Sequence, residues 1–400
     1  MTLPSAAQSA DAGLGKPLDG LRVLDFTRVL SGPYCTALLA DLGADVLKVE
    51  PPQGDDYRHI GPFYRDGSSA LFETVNRGKR SVVLDLSDAA HRDLALDLAA
   101  EADVLVENFR PGVADKLGIG WEPVKARNAR IVYASISGFG QDGPNARRPA
   151  YDIVLQALSG IMTVTGDPAG TPTLIGESIA DITTGLFGSW AILAALYERE
   201  KAGQGRRIDV SMFESMVALQ PLVVTRYLAT GQTPQRVGNR HPLSAPFGAF
   251  RAADKLFVLA VLNPKLFETL AALIGRPDLV KDPRFVTDSA RLANESALRA
   301  AIEEWSIKHP AAEAVRALVA AGVPAAEVND MAEALESDQV RARPVLQNVR
   351  HDALGEMTVP EQPVRFAGAP RGGLAAASPL GAQTVELLSD PKAIWKAKRR

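Results

Sequence analysis

One carboxylate, Asp181, is the residue of this chain best suited to covalent chemistry. It follows a run rich in glycine and proline, Gly166-Asp-Pro-Ala-Gly-Thr-Pro-Thr-Leu-Ile-Gly176, and it precedes an apolar segment that predicts a helix. An aspartate at such a place often only caps the helix by accepting backbone N–H bonds. The glycine and proline residues would, however, let a ligand approach the backbone, and helix N–H groups can stabilise an oxyanion. Two interpretations therefore stand, a helix cap and a carboxylate nucleophile.

Basic and aromatic residues form a second candidate group. The run Asn76-Arg-Gly-Lys-Arg80 precedes a predicted strand, and Asn108-Phe-Arg110 follows another. Ligands of open α/β sheets bind beyond the carboxyl ends of the strands. The cations of the first run could therefore contact phosphates, with Phe109 lining an adenine slot, or the run could be a solvated basic turn.

Several common chemistries lack their motifs. The turn Thr27-Arg-Val-Leu-Ser-Gly-Pro33 holds one glycine, whereas a dinucleotide site requires G-x-G-x-x-G. The chain contains neither the G-x-S-x-G run of a serine hydrolase nor a P-loop. The five histidines share no ligand spacing and Cys35 is the only cysteine, so we predict no metal site and no intrachain disulfide.

Length and composition predict a globular protein of two domains. The chain has 400 residues, of which 46% are hydrophobic and 23% charged. A net charge of −3 gives no reason to expect nucleic acid or an anionic membrane as a partner. No apolar run reaches the roughly 18–20 residues that span a bilayer, and a lone cysteine is compatible with the cytoplasm. Residues 1–16 lack signal-peptide features and predict a disordered leader, and residues 395–400 predict a solvated basic tail.

The hydrophobic pattern predicts a doubly wound parallel sheet. Strands are predicted at residues 21–26, 45–50, 81–86, 104–107, 131–136 and 207–211, with helices between them. From 183 to 200 apolar residues run almost all round, which predicts a core helix. We assign residues 17–229 to a large α/β domain, 230–335 to a smaller α+β domain and 336–400 to a segment that returns to the large domain.

The chain as a whole resembles the class III CoA-transferases, the family that includes formyl-CoA transferase, carnitine CoA-transferase and α-methylacyl-CoA racemase. The resemblance runs from Leu18 to about Pro370. The blocks that carry it are Pro17-Leu-Asp-Gly-Leu-Arg-Val-Leu-Asp-Phe-Thr27, Gly43-Ala-Asp-Val-Leu-Lys-Val-Glu-Pro-Pro52, Asn76-Arg-Gly-Lys-Arg-Ser81, Ala102-Asp-Val-Leu-Val-Glu-Asn-Phe-Arg-Pro-Gly112, Gln156-Ala-Leu-Ser-Gly160 and Ala202-Gly-Gln-Gly-Arg-Arg-Ile-Asp-Val-Ser-Met212.

The resemblance implies an architecture and a set of roles. It implies a Rossmann-like CoA-binding domain built from both chain ends, a small domain between them, and two ring-like subunits interlocked as a homodimer. Coenzyme A thioesters would be substrates, with no permanently bound cofactor. Asp181 would be the catalytic aspartate. The residues that would contact the thioester or CoA are Val29, Leu30, Ser31, Asn76, Arg77, Lys79, Arg80, Asn108, Phe109, Arg110 and Lys116.

Differences between this sequence and members of the family narrow the expected reaction and substrates. Racemases carry a histidine where this chain has Tyr151, so the second base of a racemase is missing. Formyl-CoA transferase has a glutamine at the position of Leu30 and a glycine-rich loop, and both differences disfavour oxalate and formyl substrates. The run Gly238-Asn-Arg-His-Pro-Leu-Ser-Ala-Pro-Phe247 resembles branches acting on dicarboxylic acids such as succinate, malate, citramalate, mesaconate or glutarate. Arg240 and His241 could then hold a distal carboxylate, although His241 could equally be structural.

The implied reaction moves CoA from an acyl-CoA, with succinyl-CoA the expected donor, to a small carboxylic acid. An aspartyl anhydride and an aspartyl-CoA thioester would be the intermediates. Two other functions stay open at this point. One is an acyl-CoA racemase or epimerase that uses Asp181 with another base, and the other is a non-catalytic CoA-binding protein. We expect a cytoplasmic enzyme.

Overall fold

The computed structural model describes residues 15–391 and 393–395. Most of the predicted leader (residues 1–14) and residues 396–400 of the predicted tail lie outside this part of the chain. The described residues divide into two compact units. The first comprises the chain up to Ile161, Leu174–Ala229 and the chain from Pro344, and the second comprises Met162–Thr173 and Thr230–Arg343.

A six-stranded parallel sheet forms the centre of the first unit. Its strands lie in the order β3-β2-β1-β4-β5-β6, and every pair of neighbours is parallel. The strands are β1 (Arg22–Asp25), β2 (Asp45–Glu50), β3 (Arg80–Val83), β4 (Val104–Glu107), β5 (Val132–Ser137) and β6 (Arg207–Ser211). The predicted mixed α/β class and parallel sheet are confirmed.

Both faces of the sheet are covered, because successive strand residues point to opposite sides. Val23, Val46, Val104 and Val132 belong to one hydrophobic core. Their chain neighbours Leu24, Leu47, Leu105 and Tyr133 belong to the other. The near-continuous apolar strands of the sequence therefore reflect burial on both faces.

The strand order reverses direction between β1 and β4. β2 and β3 follow β1 on one side, whereas β4, β5 and β6 follow on the other. The loops after β1 and β4 therefore diverge to opposite faces and leave a crevice at their carboxyl ends, which is where ligands of such sheets bind. The N–H of Phe26 donates to the carbonyl oxygen of Val106 across this point at 2.8 Å.

Within the described residues 22–230, eight α-helices lie between successive strands of this sheet, and two more follow β6. They are α1 (Ser31–Asp41), α2 (Ala70–Asn76), α3 (Ala89–Glu101), α4 (Val113–Lys116), α5 (Trp121–Arg127), α6 (Asp152–Leu158), α7 (Ile161–Val164), α8 (Ile179–Ala202), α9 (Met212–Ala218) and α10 (Pro221–Thr230). Helix α1 is buried along nearly its whole length, and it packs against α8.

The structure of helix α8 differs from two predictions made from the sequence. Its 24 residues include an 18-residue window of mean hydropathy 1.5, so one helix is long and apolar enough to cross a membrane, contrary to prediction. Length and composition alone are weak evidence, because core helices meet the same criterion. Only one face of α8 is buried, with Ile192 and Leu196 inside, whereas Trp190 and Tyr197 are each 67% exposed. The predicted all-round core helix is therefore wrong for this face.

The second unit is a small α+β structure. Its antiparallel sheet has the order β7-β8-β9, and residues such as Phe250, Phe257 and Leu270 form its core. Its elements are β7 (Phe247–Arg251), β8 (Leu256–Ala260), α11 (Pro264–Leu273), α12 (Asp288–Ala293), α13 (Glu295–Ser306), α14 (Ala311–Ala320), β9 (Ala325–Glu327), α15 (Met331–Leu335) and α16 (Asp338–Ala342). Residues 162–173, which the predicted boundaries place in the large domain, group here because the guanidinium of Arg236 donates to the carbonyl oxygens of Thr163, Asp167 and Gly170.

The last segment of the chain packs within the first unit. It contains the hairpin β10 (Leu346–His351) and β11 (Gly355–Pro360) and the helix α17 (Thr384–Ser389). The N–H of Gly78 donates to Ala375 at 2.8 Å, and the N–H of Gln383 donates to Ser81 at 3.0 Å. These bonds tie the segment to the edge of the sheet at β3.

Candidate active site

Asp181 lies in the first turn of α8, but another residue caps this helix. One carboxylate oxygen of Asp152 accepts the N–H of Ala180 at 2.7 Å and the N–H of Asp181 at 3.4 Å. The side chain of Ser178, at the N-cap position, makes no capping bond. Gln156 donates to the other oxygen of Asp152 at 2.7 Å and so fixes its orientation. Capping by Asp152 leaves the carboxylate of Asp181 available for other contacts.

The carboxylate of Asp181 instead meets the start of α1. Ser31, the first residue of α1, lines the cavity with Asp181, and its backbone N–H and hydroxyl act to lower the pKa of this carboxylate. The two helices can approach because glycine faces the contact. A Cβ on Gly185 would lie 2.8 Å from the carbonyl oxygen of Ser31, and one on Gly188 would lie 3.2 Å from Cys35 Sγ. The amino-terminal ends of α1 and α8, each carrying partial positive charge, therefore converge on one carboxylate.

The environment of Asp181 raises its pKa to about 7. Burial is the largest cause, and the negative charge of Asp152 acts in the same direction, while the N–H and hydroxyl of Ser31 act against them. The phenol of Tyr57 lies in the same environment, and burial followed by the charge of Asp181 raises its pKa to about 12. A partly desolvated carboxylate that changes charge near neutral pH is typical of a catalytic group.

A cavity of about 450 Å³ opens in front of Asp181 at the crevice between β1 and β4. Its lining includes Arg28, Val29, Ser31, Asp56, Asn108, Phe109, Arg110, Arg148, Tyr151, Asp181 and Met212. The guanidinium of Arg28 stacks on the ring of Phe109 at 5.4 Å. Three arginines around one cavity, Arg28, Arg110 and Arg148, suit a ligand that carries several negative charges. A second cavity of about 800 Å³ lies at the opposite, amino-terminal end of the strands.

The structure brings only part of the predicted set to this cavity. Val29, Ser31, Asn108, Phe109, Arg110, Tyr151 and Asp181 lie around it. Leu30 is buried beside them at 7% exposure, and Lys116, the last residue of α4, is exposed.

The basic run at residues 76–80 is buried in ion pairs. Arg77 pairs with Asp41 at 2.5 Å, Lys79 with Asp25 at 3.0 Å and Arg80 with Asp45 at 2.7 Å. Asn76 accepts a bond from Lys79 at 2.9 Å. The solvated basic turn considered from the sequence is therefore wrong, because these charges are paired inside the protein. Their contact with CoA stays a prediction, and in this subunit their partners are carboxylates.

Arg240 and His241 belong to the second unit. Arg240 pairs with Glu295 at 2.9 Å, and the ring of His241 stacks on Phe247 with centroids 4.7 Å apart. Each side chain therefore already has a partner within its own unit, and their contact with substrate stays a prediction.

Sequence reasoning missed several residues of the site. The chain has 44 basic residues, and no motif distinguishes Arg28 and Arg148 among them. Asp152 adjoins Tyr151 in the block Pro149-Ala-Tyr-Asp-Ile153 without forming a known motif. Tyr57 lies in a 3-10 helix (Asp56–His59) after β2, and Asp55 caps this helix. The one signal that could have identified these residues is their position after predicted strands, because loops at the carboxyl ends of parallel strands meet at one edge of the sheet. Among the described residues, no three His, Cys, Asp or Glu side chains are grouped as metal ligands.

The chain is similar in sequence and in structure to known proteins. The sequence profile of CoA-transferase family III matches residues 18–384. An acetyl-CoA:oxalate CoA-transferase of Acetobacter aceti is 47% identical over 88% of this chain and 90% of its own length. A succinyl-CoA:mesaconate CoA-transferase of Haloarcula hispanica is 40% identical over 87% of this chain and 90% of its own length. A crystal structure of a CAIB/BAIF family protein from Brucella suis superimposes with a TM-score of 0.84 at 38% identity, covering 94% of this chain and all (100%) of that one.

Proposed function

The chain belongs to CoA-transferase family III, and from this premise we propose that Asp181 is the carboxylate through which it transfers CoA. The resemblance predicted from the sequence is confirmed, and the protein is a CoA-transferase. One observation carries the assignment of Asp181. Asp181 lines the cavity together with Ser31, while Asp152 performs the capping that would otherwise explain an aspartate here.

The reaction proceeds in four exchanges at Asp181. Its carboxylate attacks the carbonyl carbon of the acyl-CoA, and the C–S bond breaks to release CoA thiolate and leave an aspartyl anhydride. The thiolate attacks the aspartyl carbonyl carbon, so the donor acid departs as a carboxylate and an aspartyl-CoA thioester forms. The acceptor carboxylate then attacks this thioester, so the C–S bond breaks, CoA thiolate is released and a second aspartyl anhydride forms. The thiolate finally attacks the acceptor acyl carbonyl carbon of this anhydride, which gives the new acyl-CoA and frees the carboxylate of Asp181. Each step exchanges one leaving group for another, so no net proton moves.

The surroundings of Asp181 fit these steps. The N–H and hydroxyl of Ser31, which act to lower the pKa of the carboxylate, can hold the oxyanion formed when its carbonyl is attacked. Burial removes the hydration shell of the carboxylate, which makes it a stronger nucleophile and keeps water from the anhydride. With a pKa of about 7, the group is sufficiently ionised at neutral pH to attack.

We propose that the cavity arginines bind the phosphates of CoA. Arg110 is exposed, and Arg28 and Arg148 line the cavity with it. Phe109 offers a ring face for the adenine, and Asn108 fixes the loop beside it. Lys116 is exposed and can extend this basic surface. The ion pairs of Arg77, Lys79 and Arg80 favour a supporting role for the run at 76–80 over direct phosphate contact.

A small dicarboxylic acid is the proposed acceptor. Relatives include enzymes named for oxalate, for mesaconate and, in Homo sapiens, for glutarate, the last 34% identical over 88% of this chain and 81% of its own length. The oxalate relative weakens the sequence argument against oxalate. Acetyl-CoA and succinyl-CoA are the proposed donors. Tyr151, 71% exposed at the cavity, is a candidate for contacting the acid, and Arg240 and His241 stay candidates for its distal carboxylate.

We further propose that the enzyme is a cytoplasmic homodimer with interlocked subunits. The exposed apolar face of α8 supports burial against a second copy, since Leu186, Trp190 and Tyr197 lie along it and are 48%, 67% and 67% exposed. Light scattering that gave a monomer would contradict this proposal.

The test of the proposed function is the appearance of new CoA thioesters. The protein is incubated with acetyl-CoA or succinyl-CoA and a pool of oxalate, mesaconate, glutarate and citramalate, and products are identified by mass spectrometry. A new thioester that is absent with Asp181→Ala supports the assignment and names the acceptor. Transfer by Asp181→Ala would disprove the role of Asp181.

The two other functions give different results in the same assay. A racemase or epimerase would form no new thioester but would exchange the α-proton of a branched acyl-CoA with solvent deuterium. A CoA-binding protein without activity would bind CoA and do neither.

A further inference from the structure

The turn that carries Ser31 to Asp181 has a strained backbone. Val29 has a φ of +69°, and it is the only non-glycine residue of the described chain with a positive φ. A β-branched side chain clashes with the backbone in this region, so the conformation persists only where surrounding contacts enforce it. Such strain commonly occurs at functional sites.

Buried side chains hold this turn on both sides of Val29. Lys48 Nζ donates to the carbonyl oxygen of Thr27 at 2.7 Å, and one oxygen of Asp55 accepts the N–H of Val29 at 3.0 Å. Between them, Asn108 accepts the N–H of Arg28 at 2.8 Å and donates to its carbonyl oxygen at 2.7 Å.

Asp55 and Lys48 form one rigid support. Their side chains are 0% and 1% exposed, and the carboxylate lies 2.8 Å from the ammonium. Burial works to raise the pKa of Asp55, but the charge of Lys48 and the hydrogen bonds outweigh it and leave this pKa below its ordinary value. Asp55 is therefore ionised at neutral pH, and a buried pair of this kind tolerates little displacement.

The same oxygen of Asp55 also accepts the N–H of Tyr57 at 3.0 Å. Asp55 thus connects the turn ending at Ser31, which lines the cavity with Asp181, to the short 3-10 helix Asp56–His59, which carries Tyr57. The side chain of Asp55 is 0% exposed and does not line the cavity, so we expect Asp55 to affect the reaction through the residues that it holds.

We infer that Asp55, supported by Lys48, is a positioning residue: it holds Val29 in its strained conformation and thereby places Ser31 beside Asp181 at the cavity. This inference rests on the proposed role of Asp181. It predicts that loosening the turn lowers the rate of transfer without weakening the binding of CoA to the arginines of the cavity.

The test compares Asp55→Asn with a matched control, Asp103→Asn. One oxygen of Asp103 accepts the N–H of Arg22 at 3.0 Å, and the other lies 3.0 Å from the guanidinium of Arg199, at the opposite end of the strands. We expect Asp55→Asn to lower kcat by about 10- to 100-fold with little change in the KM for acyl-CoA, because a misplaced catalytic contact has this effect. Asp103→Asn should leave kcat close to that of the unaltered protein.

Two further measurements separate positioning from a general loss of stability. Hydrogen exchange of the amides at residues 29–31 should be faster in Asp55→Asn and unchanged in Asp103→Asn. Adding Val29→Gly to Asp55→Asn should restore part of kcat, because glycine adopts a positive φ without a clash. If Asp55→Asn does not fold, Asp55→Glu retains the charge for Lys48 while displacing the oxygen, and the same results are expected.

The inference is overturned if the amides at 29–31 exchange at the original rate, or if both asparagine variants lower kcat equally. Failure of the proposed function gives a different result. Transfer by Asp181→Ala would remove the assigned nucleophile, whereas the exchange rates at 29–31 would still decide whether Asp55 holds the turn.

Discussion

One carboxylate oxygen of Asp152 lies 2.7 Å from the backbone nitrogen of Ala180 and 3.4 Å from that of Asp181. Asp152 therefore caps the helix and Asp181 faces the cavity, whereas the sequence pattern offered both roles to Asp181 alone. Asp152 accepts hydrogen bonds from the N–H groups at the start of α8, and its negative charge helps to raise the pKa of Asp181. Asp181 is left with its carboxylate directed at Ser31 and the cavity.

Replacing Asp181 by alanine should abolish transfer, by about a thousandfold or more, because the nucleophile is lost. The same variant should unfold at a temperature no lower than that of the original protein at pH 8. Burial disfavours the charged carboxylate, so removing it relieves a cost that offsets the loss of its favourable interaction with Ser31. Calorimetry of the variant checks this, and a fall of several degrees would show that Asp181 is mainly structural.

The activity should rise with pH through about 7 as Asp181 ionises, and Asp152→Asn should move this rise to lower pH. An asparagine oxygen can still cap α8, but it no longer repels the charge on Asp181. The pH profile of kcat/KM measures the shift. An unchanged profile would mean that the ascending limb belongs to another group.

The pKa of Asp181 also predicts how stability depends on pH. Because the folded pKa lies above the ordinary value of 3.8, the folded protein binds this proton more tightly than the unfolded chain does. The contribution of Asp181 to stability should therefore decrease as pH rises from about 4 to about 7. The difference between the original protein and Asp181→Ala in urea unfolding, measured at pH 5 and pH 8, isolates this contribution, and a larger destabilisation by Asp181 at pH 5 would contradict it.

Gly185→Ala should separate the two helix ends that meet at Asp181. The new Cβ would lie 2.8 Å from the carbonyl oxygen of Ser31, so the backbone of α1 must shift. We expect a loss of about 1–3 kcal/mol in the free energy of unfolding, despite the better helix propensity of alanine, together with a lower kcat. Gly188→Ala is the control, because its Cβ meets the Cys35 and Ile136 side chains at 3.2 Å and these can adjust. Equal effects from both variants would argue against the contact at Ser31.

Arg148→Gln should raise the KM for acyl-CoA by about tenfold, the usual scale for losing a charge-assisted bond to phosphate, with a smaller change in kcat. Arg147→Gln is the matched control, since its neighbour Arg148 lines the cavity and Arg147 does not. Steady-state kinetics at one fixed salt concentration compare them. If both variants raise KM alike, a diffuse positive charge rather than a defined phosphate contact is responsible.

Much of the fold followed from the sequence, because parallel strands buried on both faces must be apolar and must alternate with helices. The strand runs near Leu24, Leu47 and Leu105 met this condition, as did the helical stretch of the second unit after Pro264. The apolar face of α8 was misjudged, because composition cannot distinguish a side chain buried within the subunit from one left exposed, such as Trp190.

At the site, the sequence by itself determined which chemistry was available: a carboxylate after a glycine-rich approach, within blocks that mark a family. Which residue caps α8, and which cations are free, was decided only by the tertiary structure. Asp152 lies 29 positions before Asp181, and Asp41 lies 36 positions before Arg77. The fold alone brings such residues within bonding distance. The sequence does not distinguish a buried arginine paired with a carboxylate from an exposed arginine beside a cavity. Only the exposed arginine has an unpaired charge to offer to a ligand.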